Sequence, residues 1–235
     1  MITLPGVPPS EEVIRQFSGG RHLLAFSCGK DAIAAWLALR DKVDVLPFYM
    51  ELVPGLEFVE ESLAYYERFF GQKILRVPNP SFYRMLYECV FQCPQHWHQI
   101  LRWPGVPMFS HQELHDYIAR SHNLNPAKTW TALGVRAADS IVRRAHFRKH
   151  GAVIQSNRKF YPVWDWQIHE LIAVMKGANC KLPADYRIFG RSFDGLDFRF
   201  LKPIHDHYPR DYQRILEWFP MAELELIRHQ FSKSV

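Results

Sequence analysis

Two hydrophobic rhythms alternate along the first third of the chain. An apolar run of strand length, RHLLAF (residues 21–26), gives way to helically spaced apolar positions through DAIAAWLALRD (31–41). VDVLPFYM (43–50) reads as a second strand, in which Pro47 should place the C-terminal half at an edge or an end. LEFVEESLAYYERFFG sets Phe58, Ser62, Tyr65, Tyr66 and Phe69 on a helical stripe stopped by Gly71, and QKILRV (72–77) is a third strand. Strands separated by helices predict parallel pairing through helical crossovers.

Between residues 78 and 107 the rhythm breaks, with a helix expected over 81–92 and an aromatic, proline-punctuated connection after it. Helical spacing returns in SHQELHDYIARSHN (110–123). TWTALGV is the next strand, ending at Arg136, and DSIVRRAHFRKHG is a helix, or a helix plus a basic turn. VIQSNRKFYPV reads as a short hairpin or an isolated strand, and DWQIHELIAVMKGAN as a helix ending near Gly177. Residues 181–209 look loop-rich, and 211–231 supply one or two closing helices. The expected fold is α/β, a three-layer Rossmann-like, mostly parallel sheet in a single domain over 1–235. Residues 1–20 form an arm containing a short helix, EEVIRQF, and 178–235 form a helical and loop-rich C-terminal extension.

With 235 residues, 48% of them hydrophobic, the chain can bury one substantial core. Its four cysteines do not resemble a secreted disulfide framework. The start, MITLPGVPPSEEVIRQF, lacks a basic region followed by an apolar one, and no apolar run reaches about 18 residues. A cytoplasmic location away from membranes is therefore expected. The formal charge of +5 and twelve histidines permit a polyanionic partner without requiring one.

Packing does not explain the junction between the first strand and its helix, AFSCGKD (25–31). A strand turning tightly into a helix presents backbone N–H groups that a phosphate can accept. Gly29 allows close approach, Ser27 adds a hydroxyl and Lys30 a flexible positive charge. Asp31 can cap amides or help hold Mg²⁺ beside phosphates. The G-x-x-x-x-G-K-[ST] loop is absent. A capped turn with an incidental lysine stays open as the plainer reading.

S-x-G-K-D after the first strand resembles the signature loop of the PP-loop ATP pyrophosphatase superfamily, usually SGGKDS, and more narrowly its phosphoadenosine phosphosulfate (PAPS) reductase-like branch. Further matches follow in order over residues 22–190: Gly55 and Glu57 after the second strand, Gly134-Val135-Arg136, Asp139-Ser140 with Arg143-Arg144, and Pro162-x-x-x-Trp166 before a helix. Cys28 replaces a glycine of the motif and Ala32 its serine. The resemblance implies ATP and Mg²⁺, with cleavage between the α- and β-phosphates, adenylation of a second substrate and release of pyrophosphate. It assigns nucleotide binding to Ser27, Cys28, Gly29, Lys30, Asp31, Gly55, Gly134 and Arg136, catalysis to Lys30, Arg136 and Asp31, and the metal to Asp31. The reductases' E-C-G-L-H motif is missing, and no cysteine follows Cys180, so their thiolate chemistry lacks its nucleophile.

The second substrate is not legible beyond nucleic-acid modification or sulfur metabolism as settings. Arg143 and Arg144, with Arg148 and Lys149, form either a solvated helix face or a substrate surface, and with Arg158 and Lys159 they could hold nucleic-acid phosphates. In GRSFDGLDFRF, Arg191 and Asp194 would meet substrate if Gly190 and Gly195 hinge a flap; an ordinary loop is the alternative. Cys89, Cys93, His96 and His98 are the one compact soft-ligand cluster, but their spacing argues against zinc, and no ferredoxin-like spacing supports an iron–sulfur cluster. Two rival functions remain: a sulfonucleotide reductase-like enzyme with an external thiol, and a non-catalytic nucleotide-binding regulator acting with DNA or a protein partner. A homodimer is also open.

Overall fold

A computed structural model describes residues 1–102 and 107–232. In chain order the elements are α1 (Ser10–Gln16), β1 (Arg21–Ala25), α2 (Lys30–Leu39), β2 (Asp44–Glu51), α3 (Glu57–Phe70), β3 (Leu75–Pro78), α4 (Pro80–Tyr87), α5 (Trp97–Arg102) and α6 (His111–Ser121). They continue with β4 (Thr131–Leu133), α7 (Ile141–His150), β5 (Val153–Ile154), β6 (Lys159–Phe160), α8 (Ile168–Gly177), α9 (Ala184–Phe189), α10 (Phe198–His207), α11 (Pro209–Trp218) and α12 (Leu224–Ser232). None of the described helices is long and apolar enough to cross a membrane. The described chain divides into two compact units, one of residues 1–49, 71–76 and 111–182, the other of 50–70, 77–110 and 183 onward.

The six strands form one sheet in the order β3-β2-β1-β4-β6-β5, an α/β architecture with a mostly parallel sheet. β1 lies parallel to β2, with Arg21 opposite Asp44 and Ala25 opposite Phe48, and parallel to β4, with Leu23 opposite Thr131. β6 continues the parallel order beside β4, while β5 and β6 make the antiparallel hairpin at the far edge. In the first unit, α2 is buried over most of its surface and packs against α8, so its alanine-rich sequence lets it lie close to its neighbours. Phe26 meets Trp36 edge to face, with ring centroids 5.0 Å apart.

Several sequence expectations change. Pro47 is not at an edge but inside β2, opposite Leu24. The Phe48 carbonyl accepts from the Phe26 N–H at 2.9 Å, so by alternation the Pro47 nitrogen points to the other side of the strand and the β1 ladder loses no donor. The helix expected over 81–92 stops at Tyr87, because Cys89 and Phe91 both take positive φ. β4 ends at Leu133, which frees Gly134–Arg136 to form a loop. The stretch 181–209 is largely helical: Asp197 caps α10 by accepting the Arg199 N–H at 2.9 Å, and Phe200, Leu201 and Ile204 form its buried face.

The second unit is built on aromatic side chains. Phe58 of α3 packs against Phe189, Phe193 and Tyr208, and Phe82 of α4 against Trp218 and Phe219. A buried carboxylate fixes the start of α3: Asp211 of α11 accepts the N–H groups of Glu57 at 2.7 Å and Phe58 at 3.1 Å.

Two buried titratable groups oppose one another in acid. Burial, reinforced by the Lys159 charge, pushes His115 down to about 4, so the folded chain holds fewer protons there than the unfolded chain below pH 6.5, and stability is lost as pH falls from 6.5 to 4. Burial pushes Asp185 up to about 6, despite N–H bonds from Phe193 and Tyr186, so its contribution is intact below pH 3.8 and is lost as pH rises to 6. Each shift is worth about 3 kcal/mol. In urea titrations between pH 4 and 7, Asp185→Asn should make the protein more acid-sensitive than the parent, and His115→Gln less so; identical profiles for all three proteins would refute both assignments.

Candidate functional site

The turn that leaves β1 is shaped by two residues. Cys28 has φ +57°, in the left-handed region that glycine enters freely and other residues enter at a cost of about 1–2 kcal/mol, and its side chain is buried. Gly29 is then extended (φ −72°, ψ 153°) at the N-cap of α2 and supplies no side-chain cap to the first helical turn. The Ser27 hydroxyl accepts the Gly29 N–H at 3.4 Å. The helix therefore opens with backbone amides and a cation, Lys30, around an exposed serine.

The loop after β4 approaches this turn so closely that only glycine fits at 134. A Cβ there would lie on the Asp31 carbonyl, 2.5 Å from its carbon and 2.6 Å from the Ala32 Cα. Those contacts are with helical backbone, which cannot swing aside. Ala32 is itself buried at this contact.

Arg136 ties the two loops together. Its guanidinium, 3% exposed, donates through Nε to Asp31 Oδ1 at 2.5 Å, through Nη2 to Asp139 Oδ1 at 2.6 Å, and through Nη1 to the Trp166 carbonyl at 3.4 Å. Lys30 Nζ sits 2.7 Å from Asp31 Oδ2 and 3.9 Å from Asp139 Oδ1, and Arg143 Nη1 donates to Asp139 Oδ2 at 2.5 Å. Ser140, between them, caps α7 by accepting the Arg143 N–H at 3.1 Å. Three cations thus share two carboxylates, leaving one net positive charge. Lys30 is the partly exposed member and Arg136 the buried one.

Ser27, Cys28, Gly29, Lys30, Asp31, Gly134, Arg136 and Arg143 are therefore brought together within the first unit. Asp139 is the hub that the sequence reading did not place in the site, although its spacing, three residues after Arg136 and four before Arg143, carries the signal. Arg144 is exposed on α7. Gly55, Arg191 and Asp194 belong to the second unit. Gly55 has φ +74° and lies under Arg214, whose Nη1 would be 2.6 Å from an added Cβ. Arg191 and Asp194 bond to each other at 2.5 Å, and Phe193 between them is buried against Phe58 and Phe200. Cys89 and Cys93 are free thiols and His96 is exposed, while the side chain of His98 lies outside the described residues. Among the described residues no three His, Cys, Asp or Glu side chains gather in a way that could hold a metal.

No protein-family description matches the chain, and no curated protein matches it. Among solved structures it is similar to the U34-tRNA thiolase NcsA from Methanococcus maripaludis with its 4Fe-4S cluster (TM-score 0.44, 11% identity, covering 91% of this chain and 78% of that one). It is similar also to the PAPS reductase from Candida auris in a phosphate complex (0.44, 12%, 80% and 88%) and to the NH3-dependent NAD synthetase from Campylobacter jejuni with nitrate (0.43, 12%, 94% and 92%). What the site can do is set by its own residues.

Gly134→Ala should lower stability by about 1–3 kcal/mol or more, because the added methyl meets helical backbone. Arg136→Ala, which leaves Asp31 and Asp139 without their bridging cation, should cost about 3 kcal/mol. Both are read as shifts of the urea midpoint, and a loss below about 0.5 kcal/mol in either would show that the two loops are not coupled as described.

Proposed function

We propose that the chain is an ATP-using enzyme of the PP-loop pyrophosphatase type, which binds the nucleotide's phosphates at the Ser27–Asp31 turn and adenylates a second substrate with release of pyrophosphate. The observation that carries this reading is where the turn opens. The chain leaves β1 for β2 and β3 on one side and returns to β4 on the other, so the loops after β1 and β4 flank the point where the strand order reverses. Open α/β sheets bind ligands at that point, beyond the carboxyl ends of the strands. Here it holds an uncapped helix start, a hydroxyl and a lysine.

In the proposed reaction an acceptor oxygen attacks the α-phosphorus, the bond to the bridging oxygen of pyrophosphate breaks, and AMP is left on the acceptor. The residues' task is to position phosphates and meet the negative charge that moves onto the leaving group. Lys30 suits it: its ammonium rests on Asp31 and can turn to a phosphate without leaving a buried charge alone. Arg136, held by two carboxylates and a carbonyl, positions Asp31. The donor set also fits Mg²⁺, which takes one or two carboxylates beside phosphates and waters, because Asp31 Oδ2 is engaged by the movable Lys30. Bound there by Asp31 and the nucleotide, the ion would neutralise charge on the pyrophosphate oxygens.

Calorimetry with ATP and AMP in magnesium buffer tests the assignment. Lys30→Ala should weaken ATP at least tenfold, about 1.4 kcal/mol, and AMP less than twofold; equal weakening of both would remove Lys30 from the phosphate tail. Release of pyrophosphate matched by AMP transfer is the expected stoichiometry. Tight ATP binding with neither product across a range of acceptors would instead make the protein a nucleotide-binding regulator.

A further inference from the structure

The loop and helix that close the ATP-binding network continue into a surface with a different chemistry. Residues 140–164 contain Arg143, Arg144, Arg148, Lys149, Arg158 and Lys159 and no aspartate or glutamate. Ten of these residues form α7, and in it Phe147 alone is buried. The rest stand in solvent, including two β-branched residues that a soluble helix would normally turn inward: Ile141 is 86% exposed and Val142 78%. A helix that buries one residue in ten gains little from its own domain, so its exposed face is not explained by packing.

On an α-helix, the side opposite Phe147 carries Ile141, Val142, Ala145 and Lys149, with Arg144 and Arg148 along one flank and His146 and His150 along the other. The cations have unequal freedom. Arg143 is bonded to Asp139 and Arg158 to Asp116, whereas Arg144, Arg148 and Lys149 project from the exposed helix. The His146 and His150 rings lie 5.0 Å apart, one turn from each other. Partial burial and the neighbouring His150 draw the His146 pKa down, which favours its neutral ring near pH 7.

We propose that α7 is a docking surface for single-stranded nucleic acid, with Arg144, Arg148 and Lys149 on successive phosphates and Ile141, Val142 and the histidine rings against unpaired bases. Charge selects a polyanion, since the helix carries cations without a counter-charge among residues 140–150. Exposed aliphatic and imidazole groups beside the cations select an unpaired strand, whose base faces are available, over a duplex, whose bases are stacked inside. Asp139 and Arg143 join this helix to Lys30 and Arg136, so a strand held on α7 would lie next to the proposed adenylation site and give the second substrate a chemical class. That last step rests on the proposed function; binding to α7 does not, and it is measured without ATP.

Fluorescence anisotropy of labelled 20-nucleotide RNA and DNA strands of one sequence, and of the DNA strand annealed to its complement, titrated with the full chain over a series of salt concentrations, tests the proposal. Three phosphate contacts give a slope of log K against log salt of about −2, and Arg148→Ala/Lys149→Ala should flatten it by about 1.4 and weaken binding at least tenfold at low salt. Val142→Ser should weaken binding with the slope unchanged. Binding of either strand with these effects supports the proposal, and the tighter strand identifies the source. No binding at low salt, a variant slope equal to the parent's, or tighter binding of the duplex overturns it. So does a dimer in sedimentation velocity that Val142→Glu dissociates, which would make this face a contact between copies of the chain. Unchanged circular dichroism in each variant excludes misfolding, since every substituted residue is exposed.

Discussion

Arg136 sits between two carboxylates that would otherwise repel one another, and the geometry of the site follows from that placement. Asp31 belongs to the helix after β1, Asp139 to the turn after β4, and no backbone ladder joins those loops to each other. A buried guanidinium has a rigid fork of donors, so it fixes both the separation and the rotation of its acceptors. Burial of this charge is tolerable because Asp31, Asp139 and the Trp166 carbonyl each accept a hydrogen bond from it. Gly134 supplies the steric side of the same junction by letting the loop lie directly on the first turn of α2.

Within that frame the mobile and immobile charges are separated. Arg136 is nearly enclosed, whereas Lys30 keeps about a quarter of its side chain in solvent and makes its bond to an oxygen of Asp31 that Arg136 does not use. A cation on a flexible stem, partly exposed and resting on a carboxylate, suits a ligand that brings several negative charges at once. The odd number of cations leaves the cluster positive before any ligand arrives, a bias that favours anions at short range.

Much of this was legible in the sequence, for reasons that can be named. The strands and helices around the sheet follow from apolar spacing, and the turn from Ser27 to Asp31 stands out because polar residues interrupt buried ones. Gly134 and Arg136 were visible only through resemblance; no local rule shows that a glycine is needed for contact with a helix a hundred residues earlier. Asp139 was overlooked as a site residue because its role depends on two arginines that meet in space. Pro47 misled because the rule about proline in strands concerns donors, and here the nitrogen faces away from the β1 ladder. The helices α9 and α10 escaped notice because glycines and Pro203 interrupt a segment whose helical turns are short.

The carboxylate of Asp211 has an implication for how the protein can be handled. It reaches back 154 positions in sequence to seat the opening amides of α3. The closing portion of the polypeptide is thus not an appendage but a structural fastener for a helix in its first third, so deletions from the carboxyl end that pass α11 would strip α3 of its anchor. Fusions and affinity handles leave that fastening in place only where α11 is kept whole.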